Sequence, residues 1–140
     1  MTIFRFSCFE QEHDIFGKIA RSLITVGFYS ERFKEWLTVG KVLADTGADI
    51  SVIPLPLGQI LVSDVEKGQP MRIGGALSSN SLFNAFIHRV QARIGNFVFE
   101  MPVAVSLSSA VRPILGRREA IDRFTVSFVQ GRDVFFKIKE

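Results

Sequence analysis

Val42-Leu43-Ala44-Asp45-Thr46-Gly47-Ala48-Asp49-Ile50-Ser51-Val52-Ile53-Pro54 is the stretch that decides how this chain is read. An apolar run delivers an acid into a Thr-Gly turn, and a second apolar run follows until Pro54 interrupts it. The pattern displays one carboxylate at a strand end. Gly47 lets the backbone turn sharply beneath it, and Thr46 sets a hydroxyl beside it. Taken alone, Asp45-Thr46-Gly47 also fits an Asx turn that closes a strand.

A carboxylate presented this way gains hydrolytic meaning when a second one stands next to it. Two acids held side by side cannot both ionise cheaply, so they share one proton and titrate as a unit. The ionised member takes a proton from a bound water, and the protonated member polarises a carbonyl. The sequence holds only one Asp-Thr-Gly; Asp14, Asp64, Asp122 and Asp133 precede Ile, Val, Arg and Val. A chain of 140 residues is also too short for a two-lobed arrangement with one acid in each lobe. Asp45 can therefore find its partner only in a second copy of the chain, across a two-fold axis.

Strand signals dominate the remainder. Ile3 to Phe9 alternates with period two. Ser22 to Tyr29 and Phe33 to Leu43 form a strand pair around Ser30-Glu31-Arg32. Phe83 to Ile94 and Asn96 to Val105 form a second pair, joined at Gly95-Asn96. Thr125 to Val129 and Val134 to Ile138 form a hairpin around Gln130-Gly131-Arg132-Asp133. Helical signals are sparse: a short turn within Leu55 to Val65, and a short helix over Arg117 to Phe124. Many short strands separated by turns predict an all-β barrel or sandwich.

Two further motifs accompany the acid turn. Pro70-Met71-Arg72-Ile73-Gly74-Gly75-Ala76-Leu77 places a Gly-Gly pair at a hairpin tip, and Pro113-Ile114-Leu115-Gly116-Arg117 leads two apolar residues and a glycine into the helical signal. The order of acid turn, glycine hairpin, strand pair and apolar-apolar-Gly-Arg resembles the retropepsin-like, retroviral-type aspartic proteases over about residues 22–124. The resemblance implies a closed, barrel-like acid-protease domain with one short helix after Ile114-Leu115-Gly116, active as a homodimer. It implies one domain over residues 1–140, with the C-terminal hairpin at 125–138 added to it.

Residue by residue, the resemblance makes Asp45 the catalytic aspartate and Thr46 the hydroxyl that interlocks with its counterpart across the dimer. Gly47 belongs to the turn that meets substrate, and Ala48 and Asp49 supply the next substrate contacts. Ile73, Gly74, Gly75 and Ala76 correspond to the flap that closes over a bound peptide. Ile114, Leu115 and Gly116 pack behind the catalytic turn, and Arg117 pairs with Asp49 to brace it. The implied activity is an aspartic endopeptidase acting on an extended peptide or protein. Ile50, Val52, Ile53, Ile73 and Leu77 are the expected apolar neighbours of that peptide. The alternative is a catalytically silent peptide-binding or scaffolding dimer on the same fold.

The chain departs from minimal viral enzymes at both ends. More than forty residues precede Asp45, and a hairpin follows Phe124. Phe128, Phe135 and Phe136 suit either a dimer interface or a cap on the barrel core. The flap stretch Gly-Gly-Ala-Leu-Ser-Ser also carries fewer glycines than viral flaps often do.

Composition excludes several other classes. The chain is 47% hydrophobic with 14 Phe, enough to fill one core. No run reaches the roughly 18 apolar residues of a membrane span, and Met1 to Glu12 lacks the basic start and apolar block of a signal peptide. Net charge is +3, but the basic residues are scattered apart from Arg112, Arg117, Arg118 and Arg123, which argues against a nucleic-acid partner. His13 and His88 are the only histidines. With no Cys/His cluster, no metal or other cofactor is expected, and Glu10, Glu12, His13 and Asp14 suit a solvated turn better than a cation site. Cys8 alternates with phenylalanines as buried, inert core, and a lone cysteine suits a reducing, cytoplasmic location.

Overall fold

The computed structural model describes residues 2–74 and 83–138. Its strands, in chain order, are β1 (Thr2–Ser7), β2 (Phe9–His13), β3 (Gly17–Arg21), β4 (Leu23–Ser30), β5 (Glu35–Ala44) and β6 (Ser51–Ile53). Helix α1 (Leu55–Leu61) follows, and then β7 (Gln69–Met71), β8 (Ala85–Ile94), β9 (Phe97–Ser106), β10 (Ile114–Leu115), β11 (Thr125–Val129) and β12 (Asp133–Ile138).

Six strands close a barrel in the order β4-β5-β10-β6-β9-β8, with β4 returning to β8 through Gly27↔Arg93 and Phe28↔Ala92. β7 extends the outer edge of β8. The expected pairs β4–β5 and β8–β9 form as long antiparallel ladders, whereas β5–β10 and β6–β9 run parallel. These parallel neighbours matter for function. β10 lies between the strand that ends at Asp45 and the strand that follows its turn.

Alternation explains which side chains fill the barrel. Ile24, Val26 and Phe28 of β4, Val42 and Ala44 of β5, and Met101, Val103 and Val105 of β9 all turn inward and are buried. The same core takes in Val134 and Phe136 of a separate three-stranded sheet, β1-β12-β11. A phenylalanine seam joins sheet to barrel: Phe6, Phe97, Phe99, Phe124 and Phe136 meet with ring centroids 5.2–5.9 Å apart, mostly edge to face. The C-terminal aromatics thus divide. Phe136 is fully buried, Phe135 is half-buried and Phe128 is 48% exposed. The turn between β11 and β12 takes left-handed φ at Gln130 and Gly131, as the hairpin reading requires.

Four features differ from the sequence expectation. The single N-terminal strand through Phe9 is broken at Cys8, whose N–H donates to the Arg132 carbonyl at 2.7 Å, and Phe9 opens a new hairpin, β2–β3. Cys8 itself is half-buried against the core rather than fully enclosed. The stretch around Leu55, expected to hold only a short turn, is a full α-helix. It lies so close to β9 that a Cβ on Gly58 would come 2.2 Å from Val105. The helical signal after Gly116 takes form as one 3-10 turn, Ile121–Arg123. Among the described residues, no helix is long and apolar enough to cross a membrane.

Candidate active site

Asp45 leaves the end of β5 as a half-buried residue held from three sides. Its N–H donates to the Leu115 carbonyl at 3.0 Å, its carbonyl accepts from Ala48 N–H at 3.2 Å, and its Oδ1 accepts from Gly47 N–H at 2.9 Å. The Asx turn and the displayed carboxylate are therefore one structure. Oδ1 is engaged in closing the turn, while Oδ2 has no hydrogen-bond partner among the described residues. Thr46 and Gly47 form the exposed tip.

The segment after β10 clamps this turn from behind. Arg117 N–H donates to the Ala48 carbonyl and Arg118 N–H to the Asp49 carbonyl, each at 2.9 Å. Ser51, only 1% exposed, accepts from Gly116 N–H through Oγ at 2.9 Å. A Cβ on Gly116 would sit 2.5 Å from the carbonyl carbon and oxygen of Ile50, so only glycine permits this approach. Ile114 and Leu115 pair with Leu43 and Ala44, placing β10 directly beside the residues that deliver Asp45. Sequence reasoning brought all of these elements together except Arg118 and Ser51. The only signal for Ser51 was a small polar residue opening an apolar run.

Arg117 lies where expected, but its guanidinium pairs differently. Nε is 2.6 Å from Asp122 Oδ1, and this hydrogen bond is the main reason the Arg117 pKa is raised; Asp49 adds a weaker charge effect. Asp49 and Arg117 border the same surface depression without bonding through their side chains. The brace from Arg117 to the turn is its backbone N–H rather than the expected ion pair. A charged neighbour five residues along the chain reached the guanidinium first.

On the other side of β6 lies the base of the expected flap. Asn84 grips Ile73 at both backbone groups: Ile73 N–H donates to Oδ1 at 2.8 Å and Nδ2 donates to the Ile73 carbonyl at 2.7 Å. Gly74 follows with φ +96°. Gly75, Ala76 and Leu77 lie outside the described residues. Val52, Ile73, Gly74, Asn84, Leu107 and Ile114 line part of a depression of about 600 Å³. Two of the five expected apolar neighbours, Val52 and Ile73, thus face one hollow. Ile53 is 1% exposed and belongs to the core, a consequence of β6 alternation. Ile50 is half-buried, and its carbonyl closes on Gly116. Among the described residues, no three His, Cys, Asp or Glu side chains converge on a possible cation. His13 instead caps its own turn, its Nδ1 accepting from Ile15 and Phe16 N–H.

No family model matches the sequence. No curated protein matches it either. Solved structures do. A retropepsin-like aspartic protease from Rickettsia conorii superposes with a TM-score of 0.62 and 16% identity, covering 96% of this chain and 91% of that one. EIAV protease complexed with the inhibitor HBY-793 gives a TM-score of 0.48 and 24% identity, over 75% of this chain and 86% of that one. The first of these similarities identifies the closed barrel as a retropepsin-like fold.

Proposed function

We propose that this chain is an aspartic endopeptidase whose catalytic dyad forms when two copies bring their Asp45 carboxylates together. The observation that carries the reading is the Asp45 turn itself. A carboxylate with one oxygen unpaired among the described residues stands at the start of a turn pinned by Leu115, Ala48 and Gly47 on a retropepsin-like barrel. Such pinning restricts the acid to one position before substrate arrives, which is where positioning catalysis gains its advantage.

In the dimer the two Asp45 side chains share one proton. The ionised carboxylate accepts a proton from water as the water attacks the scissile carbonyl. The protonated partner donates to the carbonyl oxygen, and the tetrahedral species then collapses with proton transfer to the leaving amine. Thr46 of each copy interlocks beneath the pair. Gly47, Ala48 and Asp49 hold the backbone of an extended peptide. Ile73, Gly74, Gly75 and Ala76 cover it from above, adding main-chain hydrogen bonds in the manner of strand addition. The hollow bordered by Val52, Ile73 and Ile114 favours an apolar side chain.

The test is cleavage of a peptide library by the purified chain across acidic and neutral pH, with and without a statine-type inhibitor. The expected result is inhibitor-sensitive cleavage that Asp45→Asn abolishes while dimer and fold persist. Cleavage surviving Asp45→Asn overturns the assignment. Peptide binding without cleavage at any pH replaces it with the silent scaffolding dimer.

A further inference from the structure

Among the described residues, the β2–β3 hairpin forms a two-stranded sheet of its own. Two-stranded hairpins are marginal in water unless a face packs on something else. This one carries the two most exposed large apolar side chains among the described residues, Ile15 at 79% and Phe16 at 72%. The tip that presents them is preformed. His13 Nδ1 accepts from the N–H of Ile15 at 3.1 Å and of Phe16 at 3.3 Å, and the His13 and Phe16 rings stack 5.0 Å apart. Gly17, at φ +77°, completes the turn. Such rigid presentation of apolar groups lowers the ordering cost of an interface.

The foot of the arm is fixed next to the catalytic turn. Its last strand ends at Arg21, and the carbonyl of Ser22 accepts from Ala44 N–H at 2.9 Å, one residue before Asp45. We propose that this arm, residues 9–21, clasps a second copy of the chain, with Ile15 and Phe16 seated on the partner's body, and so holds together the dimer that completes the site. The inference rests on the reading of Asp45 as half of a dyad. A surface rooted beside Asp45 comes close to the second copy whenever the two Asp45 side chains meet. Within one chain β12 is enclosed between β1 and β11, so neither of its edges is open to a second copy. Charge points the same way. Glu12 and Asp14 are exposed on the arm beside Lys18, whose ammonium lies 3.7 Å from Glu10, while Lys41 and Arg112 flank its foot at a shared depression. In a two-fold contact, opposite charges on one surface can each meet their complement on the partner.

Sedimentation of the full chain over a concentration series, paired with peptide cleavage, tests the arm. The variants are Ile15→Ser/Phe16→Ser and Ile15→Asp, the second of which leaves the His13–Phe16 stack in place. The expected result is a wild-type dimer whose dissociation constant rises at least roughly tenfold in both variants, the loss typical of apolar anchors. Far-UV circular dichroism should stay unchanged, and the concentration needed for cleavage should rise in parallel. A dimer indifferent to both variants overturns the arm and leaves the peptidase reading standing. A dimer that the variants dissociate, with no cleavage by the wild type, keeps the arm and overturns the peptidase. A wild type monomeric at every concentration overturns both. Arm-dependent binding to anionic phospholipid vesicles with no change in dimerisation assigns the tip to a lipid surface and overturns the proposal.

Discussion

Arg89 and Glu119 form a bidentate ion pair that ties barrel strand β8 to the loop behind the Asp45 turn. Nη1 lies 3.1 Å from Oε2 and Nη2 lies 2.8 Å from Oε1, while Nε of the same arginine reaches Glu100 on β9. Glu119 holds a left-handed φ of +54°, unusual for a residue with a side chain, and the ion pair fixes its carboxylate in that conformation. Its main-chain carbonyl also accepts from Arg123 Nε at 2.7 Å. Glu119 lies two residues from Arg117, whose N–H holds Ala48, so the pair anchors the far end of the brace on Asp45.

The Arg89 hydrogen bond lowers the Glu119 pKa below the usual carboxylate value, which gives the pair a signed dependence on pH. A carboxylate whose folded pKa is depressed stabilises the fold above its unfolded pKa, and that contribution disappears as pH falls through the folded value. Wild type should therefore exceed Glu119→Gln in stability at neutral pH, and the gap should close in acid, below the ordinary glutamate range. Denaturant melts of both proteins at a series of pH values measure it. A gap independent of pH would assign the difference to packing. Because the pair is solvent-exposed, the gap should also shrink at high salt.

The contact between Gly116 and Ile50 makes a second prediction. An added methyl at Gly116 meets backbone atoms, which cannot rotate aside, so Gly116→Ala should cost about 1–3 kcal/mol as overpacking does. Ser51→Ala leaves the Gly116 N–H buried without its acceptor, at about 1–3 kcal/mol. Gly40→Ala is the control, since a Cβ there meets nothing within 4 Å. Thermal melts should show the first two variants falling by several degrees and the third staying near wild type. An undisturbed melt in Gly116→Ala would mean that the loop has room to move.

What the sequence made legible follows from where the information lies. The pairs β4–β5, β8–β9 and β11–β12 were readable because each joins two runs rich in β-branched and aromatic residues across a short polar or glycine turn. Asp45 was readable because a strand, an acid and a glycine turn are adjacent in the chain. The arm was not, since Phe9-Glu10-Gln11-Glu12-His13 buries no face within the protomer and so shows no apolar period. Helix α1 was underestimated because Leu55-Pro56-Leu57-Gly58 has poor helix propensity. Burial of Leu57 and Leu61 and the bare Cα of Gly58 against Val105 supply what propensity lacks. Ser51 with Gly116, Arg89 with Glu119 and Asn84 with Ile73 are polar pairs separated by 65, 30 and 11 residues, and no local pattern announces such partners.

Asn84 supports the next prediction. It satisfies both the N–H and the carbonyl of Ile73, the last residue before the glycines of the expected flap. Asn84→Asp keeps the acceptor and removes the donor, and Asn84→Ala removes both. Hydrogen exchange at the Ile73 amide should therefore quicken strongly in the alanine variant and little in the aspartate variant. If Ile73 carries the flap, KM should rise in the same order, with a smaller change in kcat. Equal exchange in all three proteins would show that the strand pairing of β7 with β8 alone holds this segment.

The pH dependence of cleavage discriminates a shared-proton pair from a lone acid. Two carboxylates in contact ionise one after the other, the second against the charge of the first. Activity needs one protonated and one ionised member, so kcat/KM should fall at both low and high pH, and the two apparent pKa values belong to the pair. The measurement is kcat/KM across pH at enzyme concentrations well above the dimer dissociation constant, so that assembly does not distort either limb. A single sigmoidal rise at the pKa of an isolated aspartate would count against the dyad even if peptide were cleaved. It would direct attention to one Asp45 acting without its counterpart.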